Sequence, residues 1–226
     1  MNHIETINYL IEKYNYKSYL EIGYDRGDCY NKINIEHKEC CDISNINNAY
    51  PETEITYLMT SDELFERMPI DKKYDIVFID GMHNQYYLDR DIINSLKHLN
   101  PGGIILCHDV LPVNYMYTAE YQIGGMWHGD CWKSVPKLQD LNVEYYTYDN
   151  NDYGLLMIKY KDNPYQLQNI RRETSVQFDT VFTCLDTTCD EYLRPVPVDV
   201  YEYAYTKQGY YIMHIIHDKE FFEIFG

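Results

Sequence analysis

Two stretches place acids and imidazoles where a ligand cleft would need them. Phe78-Ile79-Asp80-Gly81-Met82-His83 ends an apolar run in an acid and a glycine, with a histidine two positions after that glycine. Pro101-Gly102-Gly103-Ile104-Ile105-Leu106-Cys107-His108-Asp109 ends a second apolar run in His-Asp. If the two runs are neighbouring strands, Asp80 and Asp109 face one cleft with His83 and His108 close by. Two such carboxylates repel unless a proton or a cation stands between them. A divalent metal is the simplest resolution, and oxygen ligands suggest Mg²⁺. A nearby imidazole suits general-base chemistry near neutral pH. The structural alternative is that Asp109 caps a turn and Asp80 bonds backbone amides.

A third motif is Glu21-Ile22-Gly23-Tyr24-Asp25-Arg26-Gly27. A glycine after a strand lets the backbone turn tightly and approach a ligand. The dinucleotide fingerprint G-x-G-x-x-G is absent, because Tyr24-Asp25 stands where its second glycine belongs. That lowers a nicotinamide reading. A carboxylate just before the glycine repels phosphate and suits an amino group or a cation. Asp42 follows Gly23 by the interval at which an acid grips ribose hydroxyls in such folds. A fourth motif, Met126-Trp127-His128-Gly129-Asp130-Cys131-Trp132-Lys133, holds both tryptophans. They stack on a substrate or hold a lid, or else Asp130 starts a helix and Trp132 is core.

Alternating strands and helices must position these residues. Ile4, Ile7, Leu10 and Ile11 give a helix from about residue 4 to 14. Strands are expected over 18–23, 38–43, 55–59, 74–79 and 104–107, and a helix from near Asp28. Thr60 or Ser61 caps a helix with acids in its first turn. A second strong helix spans 86–99, and Asn100-Pro101-Gly102-Gly103 is a turn. Tyr74 to Ile79 is apolar on both faces, as an interior parallel strand should be. Strands 143–148 and 154–160 form an antiparallel pair at the sheet edge. The fold class is therefore α/β, a Rossmann-like doubly wound sheet, mostly parallel with an antiparallel edge strand. Ligands in such sheets bind beyond the carboxyl ends of the strands, where Glu21, Gly23, Asp42, Asp80, His108 and Asp109 sit. Residues 1–160 form this domain. Residues 161–226 are a C-terminal extension, strand-like at Val181-Phe182, 198–205 and 210–216 and suited to homo-oligomer contacts.

The charge balance is 19 basic against 36 acidic residues, a net −17. It disfavours nucleic acid and anionic membranes as partners. The first residues lack a signal peptide's pattern and no run is long and apolar enough to span a bilayer. A cytoplasmic location (host cytoplasm for a viral chain) is expected, with the seven cysteines as thiols. Cys184 and Cys189 offer half of a zinc site, with no second pair at suitable spacing.

Together these residues resemble a family. Tyr19-Leu20-Glu21-Ile22-Gly23 with Gly27 is similar to motif I of class I S-adenosylmethionine-dependent methyltransferases. The Ile79-Asp80-Gly81-Met82-His83 form, Leu99 to Gly103 and His108-Asp109 resemble the catechol-O-methyltransferase-like branch, which includes metal-dependent sugar O-methyltransferases. Met59 to Phe65 and Gly129 to Lys133 also look like stretches of that group. The resemblance covers about residues 18–160. It implies a seven-stranded sheet with the seventh strand antiparallel. It implies a cofactor site at Glu21, Gly23, Tyr24, Gly27, Asp42, Ser61, Asp62 and Asp80, with Glu21 and Gly23 at the methionine end, Asp42 at the ribose, and Ser61 and Asp62 near the adenine. It implies a divalent metal, Mg²⁺ or another cation, held by Asp80, His108 and Asp109. Asp80 and His83 would be catalytic, His83 as general base. Val110 stands where the catechol enzymes have a ligating Asn, and His108 is a softer ligand than a carboxylate. The expected acceptor is a small molecule or glycan precursor bearing a hydroxyl. A metal-independent N- or small-molecule methyltransferase, or a non-catalytic relative used for assembly, are the alternatives.

Overall fold

The computed structural model describes residues 1–112, 117–119, 122, 127–161 and 213–226. Among these residues, eight strands form one sheet in the order β3-β2-β1-β4-β5-β7-β6-β8. These are β1 Ser18–Ile22, β2 His37–Asp42, β3 Tyr57–Leu58, β4 Tyr74–Ile79, β5 Leu99–Cys107, β6 Val143–Tyr148, β7 Leu155–Tyr160 and β8 Ile215–Ile216. Strands β1 to β5 run parallel to one another, while β7 pairs antiparallel with both β5 and β6. The Rossmann-like class is as expected. The antiparallel strand lies between β5 and β6, and β8 forms the outer edge beyond it.

The period of two along the strands decides what each face buries. Leu20, Ile22, Val77, Ile79, Ile105 and Cys107 point to one side. There they meet Leu64 and Phe65 of α2 (Ser61–Arg67) and Leu88, Ile92 and Leu96 of α3 (Gln85–Lys97). Tyr19, Ile76, Phe78, Ile104 and Leu106 point to the other, against Ile7, Leu10 and Ile11 of α1 (His3–Tyr14). Both faces are covered, which is why β4 and β5 read as unbroken apolar runs.

Local chemistry sets the helix starts. Asn2 and Glu5 form a capping box on α1, and Thr60 with Glu63 forms another on α2. The helix expected from Asp28 shrinks to a 3-10 turn at Tyr30–Lys32. Asn31 bonds back to the Gly27 carbonyl and to the Tyr24 hydroxyl, an alternative that asparagine offers in place of helix continuation. The strand expected over 55–59 is reduced to Tyr57–Leu58. Asn100 to Gly103, expected as a turn, belongs to β5 and carries a register shift opposite Tyr74 and Ile76, with Gly102 at φ +80°.

Of the C-terminal extension, β8 adds to β6, and α4 (Asp218–Phe225) follows it. Phe221 and Phe225 are fully buried beside α1, and the Phe221 ring stacks on Tyr148 at 4.6 Å. The expectations at Val181-Phe182, 198–205, Cys184, Cys189 and 210–212 lie outside the described residues. Cys29, Cys40, Cys41, Cys107 and Cys131 are free thiols. No described helix is long and apolar enough to cross a membrane. Because Phe221 plugs the α1 face, Phe221→Ala should cost about 3–5 kcal/mol in urea unfolding. A loss under about 1 kcal/mol would show that α4 does not belong to the core.

Candidate functional site

A cleft of about 430 Å³ opens at the carboxyl ends of β1, β2 and β4. Gly23 forms its floor at φ +92°, where a Cβ would collide with the Asp80 backbone carbonyl. Only glycine lets the turn after β1 press against the end of β4. Asp42 closes β2 and ties that turn down. Its Oδ2 accepts from the amides of Tyr24 (2.8 Å) and Asp25 (2.9 Å), and its Oδ1 from Ser44 (3.0 Å). Ser61 and Asp62 line the far end, and Asp62 pairs with Arg90, whose guanidinium lies over the Tyr86 and Tyr87 rings.

Five of the expected cofactor residues therefore line the cleft: Gly23, Asp42, Ser61, Asp62 and Asp80. Glu21, Tyr24 and Gly27 do not. The Glu21 carboxylate is buried behind the cleft and accepts from the Tyr19 hydroxyl. Tyr24 is buried, with its hydroxyl on Asn48, and Gly27 at φ +81° packs against the Tyr24 ring. Both shape the turn without touching the space inside.

Beside the cleft, β4 and β5 deliver Asp80 and Asp109 to one point. His83 Nε2 lies 3.5 Å from Asp80 Oδ1 and 3.2 Å from Asp109 Oδ2. His108 Nδ1 lies 3.5 Å and 3.7 Å from the same two oxygens. A carbonyl only accepts, so the outer nitrogens must carry hydrogen. His83 Nδ1 donates to the Trp127 carbonyl at 2.9 Å, and His108 Nε2 to the Asp152 carbonyl at 2.8 Å. Each ring is thereby fixed with its other nitrogen aimed at the carboxylates, the arrangement that outer hydrogen bonds impose on ligating or proton-accepting histidines. Asp109 sits at φ +58°, a left-handed conformation that costs a non-glycine residue energy. Asp80, His83 and Asp109 offer ligand atoms within 4.8 Å of one another. The two carboxylates, with His108 Nδ1 beside them, are a donor set that fits a divalent cation and leaves His83 Nε2 for a proton.

The electrostatics reflect burial and pairing. Burial favours a neutral Asp80, but His108 and His83 outweigh it and hold its pKa well below the carboxylate range. Burial dominates at Asp109, raising it to about 6. Burial opposes a charged His83, but Asp80 and Asp109 lift it to about 9. Burial, joined by the positive His83 and His108, drops His128 to about 4. Glu21 is raised to about 8, chiefly by burial and against the Tyr19 hydrogen bond.

Several neighbours were missing from the expectations. His3, at the start of α1, binds Asp152 through its amide (3.0 Å) and its Nδ1 (2.5 Å), and this clamp backs His108. Neither residue carries a sequence signal, because the fold alone joins them. Buried His128 packs tilted against the Tyr153 ring and lies 4.0 Å from Asp109 Oδ1. Trp127 stacks on His83. Asp130 accepts from the Gln85 amide at 2.6 Å and so tethers the start of α3, while Trp132 is core. Asp91 of α3, absent from the expected set, is buried yet lines the cleft.

Known proteins share this fold. Residues 36–110 match the family model described as a methyltransferase domain. That stretch runs from β2 to just beyond Asp109, and the Rossmann-like fold of the chain is similar to that of solved methyltransferases. The methyltransferase PaMTH1 from Podospora anserina, bound to S-adenosylhomocysteine, has TM-score 0.51 and 17% identity, over 70% of this chain and 78% of that one. Cofactor-bound Rv0187 from MTB has TM-score 0.54 and 10% identity, over 72% and 82%. The sugar N-methyltransferase KedS8 from Streptoalloteichus has TM-score 0.50 and 11% identity, over 70% and 87%. No curated protein matches the sequence.

Glu21 generates a pH prediction. Its folded pKa lies above its unfolded one, so the folded state holds the extra proton between about pH 4.5 and 8. Stability from this group is full below that window and lost as pH rises through it. Glu21→Gln should therefore flatten the fall in urea midpoint from pH 5 to pH 8. An unchanged slope would mean that Glu21 is ionised in the fold.

Proposed function

We propose that this protein is an S-adenosylmethionine-dependent O-methyltransferase, metal-assisted, acting on a hydroxyl of a sugar or glycan precursor. The observation that carries this is the double membership of Asp80, which lines the cleft and also belongs to the Asp80/His83/Asp109 cluster. A donor site and a hydroxyl-activating site thus meet at one residue. The cofactor supplies an electrophilic methyl group on a sulfonium. Gly23, Asp42, Ser61 and Asp62 bind and orient it, with its amino-acid end beside Gly23.

Transfer forms the bond from acceptor oxygen to methyl carbon as the carbon–sulfur bond breaks, and most of the acceleration comes from positioning. The hydroxyl proton goes to His83 Nε2, the nitrogen left free by the Trp127 bond. Without a cation, His83 is already protonated near neutral pH because two carboxylates face it. Asp80 and Asp109, with His108 Nδ1 beside them, would hold a divalent cation, which would supply Lewis-acid stabilisation to an acceptor hydroxyl and whose charge would offset the pull of the carboxylates on His83. The net charge of −17 disfavours polyanionic acceptors.

S-adenosylhomocysteine should bind in calorimetry, and a response to nucleotide sugars should require Mg²⁺ or another divalent ion. Failure to bind S-adenosylhomocysteine with or without metal would sink the proposal. A sugar response untouched by a chelator would leave a metal-independent enzyme. His83→Ala should lower turnover by about 10²–10⁴-fold while leaving S-adenosylhomocysteine affinity within about twofold. An unchanged rate would remove His83 from the chemistry. Asp80→Asn or Asp109→Asn should abolish Mn²⁺ binding followed by electron paramagnetic resonance.

A further inference from the structure

Among the described residues, three imidazoles reach within 4.0 Å of the Asp80 and Asp109 carboxylate oxygens: His83, His108 and His128. His83 Nε2 is kept for a proton, and His128 approaches only Asp109, at Oδ1. His108 differs from both. Its Nδ1 stands 3.5 Å from Asp80 Oδ1 and 3.7 Å from Asp109 Oδ2, so it joins the two carboxylates that a cation would need. Val110, next in the chain, is buried in the core and brings no oxygen donor.

That nitrogen cannot turn away. The Nε2 hydrogen of His108 is spent on the Asp152 carbonyl at 2.8 Å, so Nδ1 carries the lone pair. The ring is wedged against His3 at 4.5 Å, with Phe78 at 6.3 Å and Tyr153 at 6.4 Å. The side chain is only 9% exposed, which leaves little room for a water to take its place. Mg²⁺ favours oxygen donors in a near-ideal octahedron and gives up its waters reluctantly. A nitrogen fixed at one position suits it poorly. Imidazole suits first-row transition ions, whose affinity for such donors rises from Mn²⁺ through Fe²⁺ and Co²⁺.

Resting on the Asp80/Asp109 centre being a metal site, we infer that it selects a first-row transition ion, such as Fe²⁺, Co²⁺ or Zn²⁺, over Mg²⁺, and that His108 Nδ1 is the ligand that makes the choice. The two carboxylates supply the charge that any divalent ion needs. Oxygen donors alone would favour Mg²⁺, and the imidazole reverses that preference. His3 and Asp152 act on the choice only as positioning residues, because they hold the ring with Nδ1 turned inward.

The test uses Mn²⁺ as a paramagnetic probe, with no acceptor present. Electron spin-echo modulation of the Mn²⁺-loaded wild type should show a nitrogen coupling from a directly bound imidazole. His83→Ala should keep that coupling, and His108→Glu, which puts an oxygen donor in its place, should lose it. In competition, Co²⁺ should displace the probe at lower concentration than Mg²⁺. His108→Glu should narrow that gap by about tenfold or more, since changing even an outer partner of a ligand shifts metal affinity by about 10–100-fold. If His108→Glu does not fold, the spectra of the wild type and His83→Ala carry the test. Mn²⁺ bound without nitrogen coupling, a coupling lost in His83→Ala or kept in His108→Glu, or an undiminished gap in His108→Glu would overturn the inference and leave the methyltransferase proposal standing. No Mn²⁺ binding by the wild type would overturn it together with metal assistance. S-adenosylhomocysteine binding is followed separately by calorimetry, and its failure would sink the methyltransferase reading without altering the metal spectra.

Discussion

Two carboxylates delivered to one point by adjacent buried strands are the constraint around which this structure is organised. Strands β4 and β5 are parallel and pair from Ile76–Ile104 to Ile79–Cys107. The residues just past each strand are therefore carried to the same edge of the sheet. Those residues are Asp80 after β4 and His108-Asp109 after β5. Like charges at that spacing in a half-buried site do not coexist unaided. The fold answers with imidazoles from both sides, His83 from the loop after β4 and His108 from the end of β5. It then commits further residues to holding those rings: the Trp127 carbonyl for His83, and the Asp152 carbonyl, backed by His3, for His108.

The same constraint explains why segments distant in sequence are drawn in. The start of α1 reaches Asp152, the turn between β6 and β7 reaches His108, and Gly129 packs against the His83 carbonyl at φ +61°. None of these contacts adds much hydrophobic area. Their value is orientational, because outer hydrogen bonds choose which imidazole nitrogen faces inward. The left-handed Asp109 has the same origin. A residue there costs conformational energy, and the surrounding contacts hold it in place so that its carboxylate meets Asp80 and His83.

Much of the scaffold was legible in the sequence because parallel interior strands and amphipathic helices have strong periodicities. Tyr74–Ile79 and Val143–Tyr148 are found where the pattern places them. The departures share a cause. The segment after Gly27 has turn chemistry, Asn31 bonding to its own loop, that outweighs a weak helical pattern. At Asn100 to Gly103, Pro and Gly signal a turn, but pairing with β4 through a register shift keeps the chain in the sheet. In the site, residues that end strands were legible, since strand ends in an open α/β sheet form one edge. His3, Asp152 and Asp91 were not, since each owes its role to a tertiary neighbour and sits in a helix or turn whose local sequence is ordinary.

Asp91 shows what a polar group costs on a packed helix face. A leucine on that face of α3 would suit the core beside Leu88 and Ile92. The aspartate brings a carboxyl group into a nearly dry place, where burial raises its pKa to about 6, and one of its oxygens has no hydrogen-bond partner. Asp109 makes a comparable concession through its backbone. Asp91 shares the cleft with Asp80, and Asp109 shares the cluster with it, while the rest of the sheet is packed on both faces. A sheet covered on both faces draws its stability from that apolar burial. Its locally unfavourable features can then be confined to the edge where the strands end, and that confinement lets them be read as a site.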